Sequence, residues 1–239
     1  AGYTNADVDT HLNTSTAASA EVLSWTGTDY DWVAQSGTDT LQDITDNGAT
    51  TTNALSTGAL TVTGDLLAAK STAGADAFAA GYLAGNTTQG VEAVAVGYYA
   101  GNNTQGGRSI AVGPQAGQTT QGGNAVAVGR EAGYSNQSNE AVAVGGFAGK
   151  TSQGERAIAV GRDAGETSQG NYAVATGYLA GNSNQGNSAT AVGREAGRTT
   201  QGNNATAVGS YAGSNTQGTY AVAVGREAGE TTQGTKAVA

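Results

Sequence analysis

A glycine at every sixteenth residue is the feature that most constrains how this chain can fold. This glycine, and a second one four residues after it, recur ten times between residues 77 and 239 without insertion or deletion. A glutamine recurs in the same frame, and the consensus reads A-V-A-V-G-x-x-A-G-x-(T/S/N)-(T/S/N)-Q-G-x-x. We number its sixteen positions from the first alanine, so that Gly81, Gly85 and Gln89 occupy positions 5, 9 and 13. A constant period of this length indicates a solenoid in which each repeat forms one coil.

The order of residues within the repeat predicts a β-coil. Sixteen residues are too few for a helical-hairpin repeat, and glycine at this density would destabilise a helix. The A-V-A-V run alternates with the period of a strand, the glycines permit corners with positive φ, and T-T-Q can form a second short strand. We therefore predict an all-β fold, a parallel β-roll or β-solenoid over residues 77–239, roughly 48 Å long at about 4.8 Å per coil.

The recurring glutamine is predicted to form a ladder inside the stack of coils. Identical amides placed above one another can hydrogen-bond along the rod and set the register between coils. A glutamine-lined binding face is the alternative. The residues concerned are Gln89, Gln105, Gln121, Gln137, Gln153, Gln169, Gln185, Gln201, Gln217 and Gln233.

Both faces of the A-V-A-V strand are apolar. Positions 2 and 4 carry mostly valine and isoleucine, whereas positions 1 and 3 are almost always alanine. A lone thin coil should have a polar outer face, so two apolar faces indicate that one packs inside the coil and the other against neighbouring subunits. We expect the small alanines to let subunits approach closely around an axis, which predicts a homotrimer.

Variation concentrates at positions 6 and 7, where pairs such as Arg130-Glu131 recur among aromatic residues. The interpretation we favour is packing between coils or subunits, with exposed ion pairs that each contribute little stability. The alternative is contact with a ligand or receptor. The candidate ligand-contact residues are Tyr82, Tyr98, Tyr99, Phe147, Tyr178 and Tyr211.

Charge and composition argue against several functional classes. Residues 1–76 hold ten acids and Lys70 alone, whereas residues 77–239 hold nine acids and nine bases, so no basic face for nucleic acid is expected. The chain has no cysteine and a single histidine, His11. No apolar run is long enough for a membrane span. We therefore expect no catalytic residue, no metal or cofactor site, no membrane insertion and no enzyme activity.

Residues 1–76 do not repeat and are predicted to form a small mixed attachment or shaft region. A capping pattern predicts a short helix over residues 4–12, and residues 59–66 alternate like a strand that leads into the solenoid. Two β-prone runs, Glu21–Trp25 and Tyr30–Ala34, flank a glycine-containing turn and predict a hairpin. Residues 35–58 are expected to wind around a partner chain.

The run Ala93-Val94-Ala95-Val96-Gly97 and its nine counterparts resemble the S-V-A-I-G-like units in the heads of YadA-type trimeric autotransporter adhesins. This resemblance covers about two thirds of the chain and implies a left-handed parallel β-roll in a trimer. Residues 23–33 and 60–66 resemble segments of tail-fibre and structural proteins from marine, cyanophage-like bacteriophages. That similarity implies a phage fibre or appendage concerned with host attachment.

The leading hypothesis is a trimeric phage fibre that acts as a spacer or adhesin in the virion. Residues 1–76 would contact further fibre or baseplate proteins, and the repeats would contact a host glycan or protein. The alternatives are a bacterial surface adhesin or extracellular filament, and an ice-binding solenoid that uses the threonines of positions 11 and 12. Because residue 1 is not methionine and residues 237–239 open an unfinished eleventh coil, we expect the native chain to be longer.

Overall fold

The structure, a computed structural model, describes residues 76–239 and the backbone of residues 21–25 and 30–34. The chain divides into two units, residues 1–61 and 62–239. In the first unit, β1 (Glu21–Trp25) pairs antiparallel with β2 (Tyr30–Ala34), and these are the two segments that the sequence predicts to form a hairpin. The predicted short helix, linking strand and partner-winding segment, together with His11, lie outside the described residues. A domain boundary after residue 76 stays a prediction.

Residues 77–239 form a parallel β-solenoid of sixteen-residue coils, as the repeat predicts, and the described part of the chain contains no helix. Each strand residue pairs with the residue sixteen positions later, as Val94 does with Ile110. The strands of the solenoid are β3 (Phe78–Ala80), β4 (Thr88–Gln89), β5 (Val94–Val96), β6 (Thr104–Gln105), β7 (Ile110–Val112), β8 (Thr120–Gln121), β9 (Val126–Val128), β10 (Val142–Val144), β11 (Ile158–Val160), β12 (Val174–Thr176), β13 (Thr190–Val192), β14 (Thr200–Gln201), β15 (Thr206–Val208), β16 (Thr216–Gln217), β17 (Val222–Val224) and β18 (Thr232–Gln233).

The solenoid has two β walls. Positions 2 to 4 of all ten coils form one continuous ten-stranded sheet that runs from β3 to β17. Positions 12 and 13 form the opposite wall, which consists of two three-stranded sheets, β4-β6-β8 and β14-β16-β18. Between these two sheets, neighbouring coils are joined by single bridges between glutamines, from Gln121 to Gln201.

Each coil turns at two corners, positions 5 to 8 and positions 14 to 1 of the next coil. The alanine N–H that ends each turn donates to the carbonyl that begins it, as Ala84 does to Gly81 (3.2 Å) and Ala93 to Gly90 (3.3 Å). The third residue of each turn has φ between 51° and 62° in every coil, although it is never glycine. Turns of this kind usually place glycine or asparagine there, so the sequence does not reveal this conformation.

The two constant glycines meet different steric demands. At position 5, Gly129 has φ +129°, and a Cβ there would lie 2.7 Å from the carbonyl oxygen of Gly145 in the next coil. At position 9, a Cβ on Gly133 would lie 2.6 Å from Oε1 of Gln137. The first glycine therefore lets neighbouring coils stack closely, and the second makes room for the glutamine side chain.

The interior of the solenoid is narrow and is filled by alanine and glutamine. From Ala93 to Ala223, every alanine at positions 1, 3 and 8 is fully inaccessible to solvent. Apart from Ser109, the largest fully buried side chains are glutamines. All ten position-13 glutamines donate Nε2 to the position-2 carbonyl of the facing wall at 2.6–2.8 Å. The two walls are thus only one glutamine side chain apart.

The prediction that the alanine face contacts other subunits is wrong. The alanines fill the interior, and the bulkier side chains of positions 2 and 4 point outwards, where none of them is buried. The physical reason is the width of the coil: glutamine reaches the facing backbone, so the space beside it accommodates a methyl group and no larger side chain.

Candidate functional site

An outer apolar stripe, made of the side chains at positions 2 and 4, runs along all ten coils of the solenoid. Of its twenty residues, sixteen are phenylalanine, valine or isoleucine, and none is charged. Phe78 is 45% exposed, Ile110 38% and Val224 58%. The remaining members are Ala80, Thr176, Thr190 and Thr206. Contiguous apolar surface of this extent typically marks an interaction site.

Three of the candidate ligand-contact residues form an aromatic cluster at the position-6 corner of the first two coils. The rings of Tyr82 and Tyr98 are stacked, with centroids 5.6 Å apart and an interplanar angle of 13°. Tyr99 meets both rings edge-on, at 5.7 Å and 4.5 Å. Burial against these neighbours raises the pKa of Tyr99, and the nearby Tyr98 and Tyr82 raise it further. Tyr82 and Tyr98 remain more than half exposed, so this cluster can contact a partner.

The other three candidate residues lie apart from this cluster, and each of them contacts a cation. The guanidinium of Arg130 lies 4.4 Å from the ring centre of Phe147, and the guanidinium of Arg194 lies 4.9 Å from that of Tyr211. Tyr178 has a similar, longer contact with an arginine of the preceding coil at 5.8 Å. These cation–π contacts stabilise the stacking of neighbouring coils.

Arginine and aromatic residues alternate along this corner. Coils 4, 6, 8 and 10 each carry an Arg-acid pair at positions 6 and 7, with N···O distances of 2.8–3.5 Å, whereas coils 5, 7 and 9 carry an aromatic residue. The alternation keeps like charges two coils apart, which reduces their repulsion. A hydrogen bond from Arg198 is the main cause that lowers the pKa of Glu195.

The ladder glutamines are buried and cannot act as a binding face. Their Nε2 groups donate to Oε1 of the next glutamine at 3.0–3.2 Å in five neighbouring pairs, which run from Gln121 to Gln153 and from Gln185 to Gln233. Each glutamine also donates Nε2 to two backbone carbonyls on the side of the first wall, as Gln137 does to Val126 (2.8 Å) and to Ala141 at the start of the next coil (3.3 Å). The amides therefore join the coils from within.

The threonines of positions 11 and 12 behave differently from each other. At position 11, the hydroxyls of Thr119, Thr151 and Thr167 donate to carbonyls of the next coil at 2.7–3.3 Å. Position 12 presents exposed threonines in two separate rows of three, one in coils 1 to 3 and one in coils 8 to 10. An ice-binding surface would therefore consist mainly of these two short rows, to which Thr87 and Thr231 of position 11 add exposed threonines at either end.

Neither a metal-binding cluster nor a membrane-spanning helix occurs in the part of the chain that the structure describes. No group of three or more histidine, cysteine, aspartate or glutamate side chains there could hold a metal ion. None of the described residues belongs to a helix that is long and apolar enough for a membrane span. No protein-family model matches the chain, and no curated protein or solved structure is detectably similar to it. The apolar stripe and the aromatic cluster are the surface features of the described residues that can contact a partner.

Proposed function

We propose that this chain is a structural, non-catalytic fibre protein: a homotrimer that serves as a spacer or adhesin of a phage particle in host attachment. The observation that carries the proposal is the outer apolar stripe, which is uncharged along all ten coils. Among the described residues, alanine is the only apolar side chain that the interior buries. No described part of the chain covers the larger apolar side chains of the stripe, and on this proposal other copies of the chain bury them. Complete burial of a valine or isoleucine contributes about 1.5–3 kcal/mol.

The stripe fits a second copy of the same chain. Its side chains repeat with the spacing of stacked strands, about 4.8 Å, and only a surface with the same repeat can match that spacing over ten coils. Its twenty residues per copy equal the low end of a standard interface, which has roughly 20–30 residues a side. Association of copies along the stripe is therefore consistent with both its period and its size.

A trimer is favoured over other numbers of copies. Each strand of the stripe is only three residues long, and faces this narrow allow three copies to meet around one axis. Cyclic symmetry then places the same coil of every copy at the same height. The resemblance of the A-V-A-V-G repeat to trimeric adhesin heads supports the same number.

The phage assignment is supported by the resemblance of residues 23–33 and 60–66 to tail-fibre segments. On this proposal the protein is part of the virion, residues 1–76 contact further fibre or baseplate proteins, and the aromatic cluster contacts a host glycan or protein. Immunogold labelling with an antibody against the chain tests its location: label on virions is expected. Label on bacterial cell surfaces alone would instead indicate the bacterial adhesin or filament.

Native mass spectrometry tests the trimer. We expect a species of three times 23.4 kDa, about 70 kDa. A variant with Val128→Glu and Val144→Glu should be monomeric, because a carboxylate buried without a partner strongly disfavours association. The matched control, Thr104→Glu with Thr120→Glu on the opposite wall, should stay trimeric. A native chain that is monomeric at micromolar concentration contradicts the proposal.

Binding to host cells separates an adhesin from a spacer. In an adhesin, replacing Tyr98 and Tyr99 by alanine should abolish binding to host cells or their surface glycans while the trimer mass is unchanged. Tyr172 and Tyr220, which are exposed at position 16, provide the matched control pair. Equal binding by both double variants would assign the solenoid the role of a spacer.

A further inference from the structure

Three threonines interrupt the apolar stripe in coils 7 to 9. Thr176 occupies position 4 of coil 7, and Thr190 and Thr206 occupy position 2 of the next two coils, where they pair as neighbours in adjacent strands. All three lie on the outer side of the sheet and are partly exposed. Their hydroxyls have no hydrogen-bond partner among the described residues, in contrast to the position-11 threonines that bond to the next coil.

The rest of the stripe specifies only weakly how two copies of the chain are aligned along the axis of the solenoid. The coils are nearly identical, so a slide of one copy by a single coil would exchange valine for valine or isoleucine at most levels. Such a slide would forfeit the contacts of only one coil in ten. Repetitive apolar surfaces are prone to alternative registers for this reason.

We propose that Thr176, Thr190 and Thr206 set the axial register between copies of this chain, an inference that rests on the proposed trimer. In register, each hydroxyl meets its own counterparts around the axis and can both donate and accept a hydrogen bond. After a slide by one coil, the counterpart of Thr206 is Val222 in one direction, and the counterparts of Thr176 are Val160 and Val192. Polar residues in an apolar interface specify register in this way at some expense in stability.

The absence of cysteine from the chain allows a direct measurement of register. Unlabelled Val144→Cys chains and ¹⁵N-labelled Val160→Cys chains are unfolded, mixed, refolded and oxidised, and disulfide-linked pairs are weighed by mass spectrometry. A disulfide requires Cα atoms within about 7 Å, whereas one coil corresponds to a shift of about 4.8 Å. Cysteines at the same height are closer than cysteines one coil apart, so copies in register favour pairs of equal label. A slide by one coil brings Val144→Cys level with Val160→Cys and raises the share of hybrid pairs, and this share is the measured quantity.

In the native background we expect linked pairs of equal label and few hybrids. In the background Thr176→Val, Thr190→Val and Thr206→Val, the hybrid share should rise at least about fivefold while the trimer mass is retained, because no hydroxyl then opposes the slide. The matched control is Thr88→Val, Thr104→Val and Thr120→Val on the opposite wall. This control should keep the native pattern.

The outcomes separate this inference from the proposed function. If the triple-valine variant forms trimers with the native disulfide pattern, the three threonines do not set the register, and the proposed trimer still stands. Abundant hybrids in the native background would show that no register is selected, which also overturns it. A monomeric native chain would overturn the proposed trimer, and the inference with it.

Discussion

The two walls of the solenoid are built from the same ten repeats, yet one is a continuous sheet and the other is split. The wall of positions 2 to 4 pairs without a gap from β3 to β17, whereas the wall of positions 12 and 13 has regular strands only in coils 1 to 3 and 8 to 10. Coils 4 to 7 are joined there by isolated bridges between glutamines.

The residue at position 12 accounts for the difference. All six coils with a strand in the second wall have threonine there, and the four without one have asparagine or serine: Asn136, Ser152, Ser168 and Asn184. Asn136, Ser168 and Asn184 have φ between 54° and 56°. A β-branched residue disfavours this left-handed conformation, whereas asparagine tolerates it. The residue at position 12 thus separates the coils with a second-wall strand from those without one. A positive φ accounts for three of the four coils without a strand, and Ser152, which has no positive φ, is the exception.

Other contacts hold the coils together where second-wall strands are missing. In coils 4 to 7 the second wall is joined by the glutamine bridges and by the Nε2 bonds that cross the interior. Continuity along the rod is therefore maintained by the first wall and by the buried amides.

Gly129→Ala should have the largest effect, because it acts on the continuous wall. The new Cβ would lie 2.7 Å from the carbonyl oxygen of Gly145 and would also have to adopt φ +129°. We expect the free energy of unfolding, measured in urea, to fall by about 3–4 kcal/mol. Gly225→Ala is the matched control, because its φ is +125° but its nearest neighbour is 3.9 Å away. Its loss should be about 1–2 kcal/mol, and equal losses would contradict a role for stacking.

Gln137→Ala should have the next largest effect and lower the free energy of unfolding by about 3 kcal/mol, because it removes the buried amide that joins both walls of coil 4. Gln137 donates to two backbone carbonyls and to Gln153, and it accepts from Gln121. Gln105→Ala in coil 2 should cost about 1 kcal/mol less, since Gln105 has no glutamine–glutamine bond and its Oε1 is unpartnered. Hydrogen exchange measured coil by coil tests this order, and a larger loss for Gln105→Ala would reverse it.

Thr104→Asn should have a smaller effect and lower the free energy of unfolding by about 0.5–1 kcal/mol. It should make coil 2 resemble coils 4 to 7, which lack a strand in the second wall. The amide of Thr104 donates to the carbonyl of Thr119 at 3.1 Å, so its exchange with solvent should accelerate. Asn184→Thr is the reciprocal variant and should extend the second three-stranded sheet by one coil. If neither substitution alters amide protection at position 12, the explanation from this side chain fails.

Acidification should produce the smallest loss of stability, through the exposed ion pair between Glu140 of coil 4 and Arg156 of coil 5. A hydrogen bond from Arg156 (2.7 Å), together with its charge, lowers the pKa of Glu140 below its ordinary value of 4.5. A carboxyl group whose pKa is lowered by folding stabilises the fold above pH 4.5, and this contribution is lost as the pH falls through the lower, folded-state pKa. The drop in denaturation midpoint between pH 6 and pH 3 should therefore be smaller in Glu140→Gln than in the native chain.

Much of the architecture can be predicted from the repeat, but some backbone conformations cannot. The period predicts the parallel coil, and the ladder prediction places glutamine at the position that the structure shows buried between the walls. The pattern does not reveal that Tyr99 and Arg108 adopt positive φ, because these residues have no intrinsic preference for that conformation. The corner turns impose it, since the chain must reverse within four residues.

The sequence by itself determined the length of the coil, its glycine corners and the two apolar faces of its first strand. It did not determine which face is inside, because alternation with period two is the same whichever face is buried. The tertiary structure decided this through the narrow interior, which admits Ala95 beside Gln105 and leaves Val94 and Val96 on the surface. The stripe that we propose as the trimer contact exists for that steric reason.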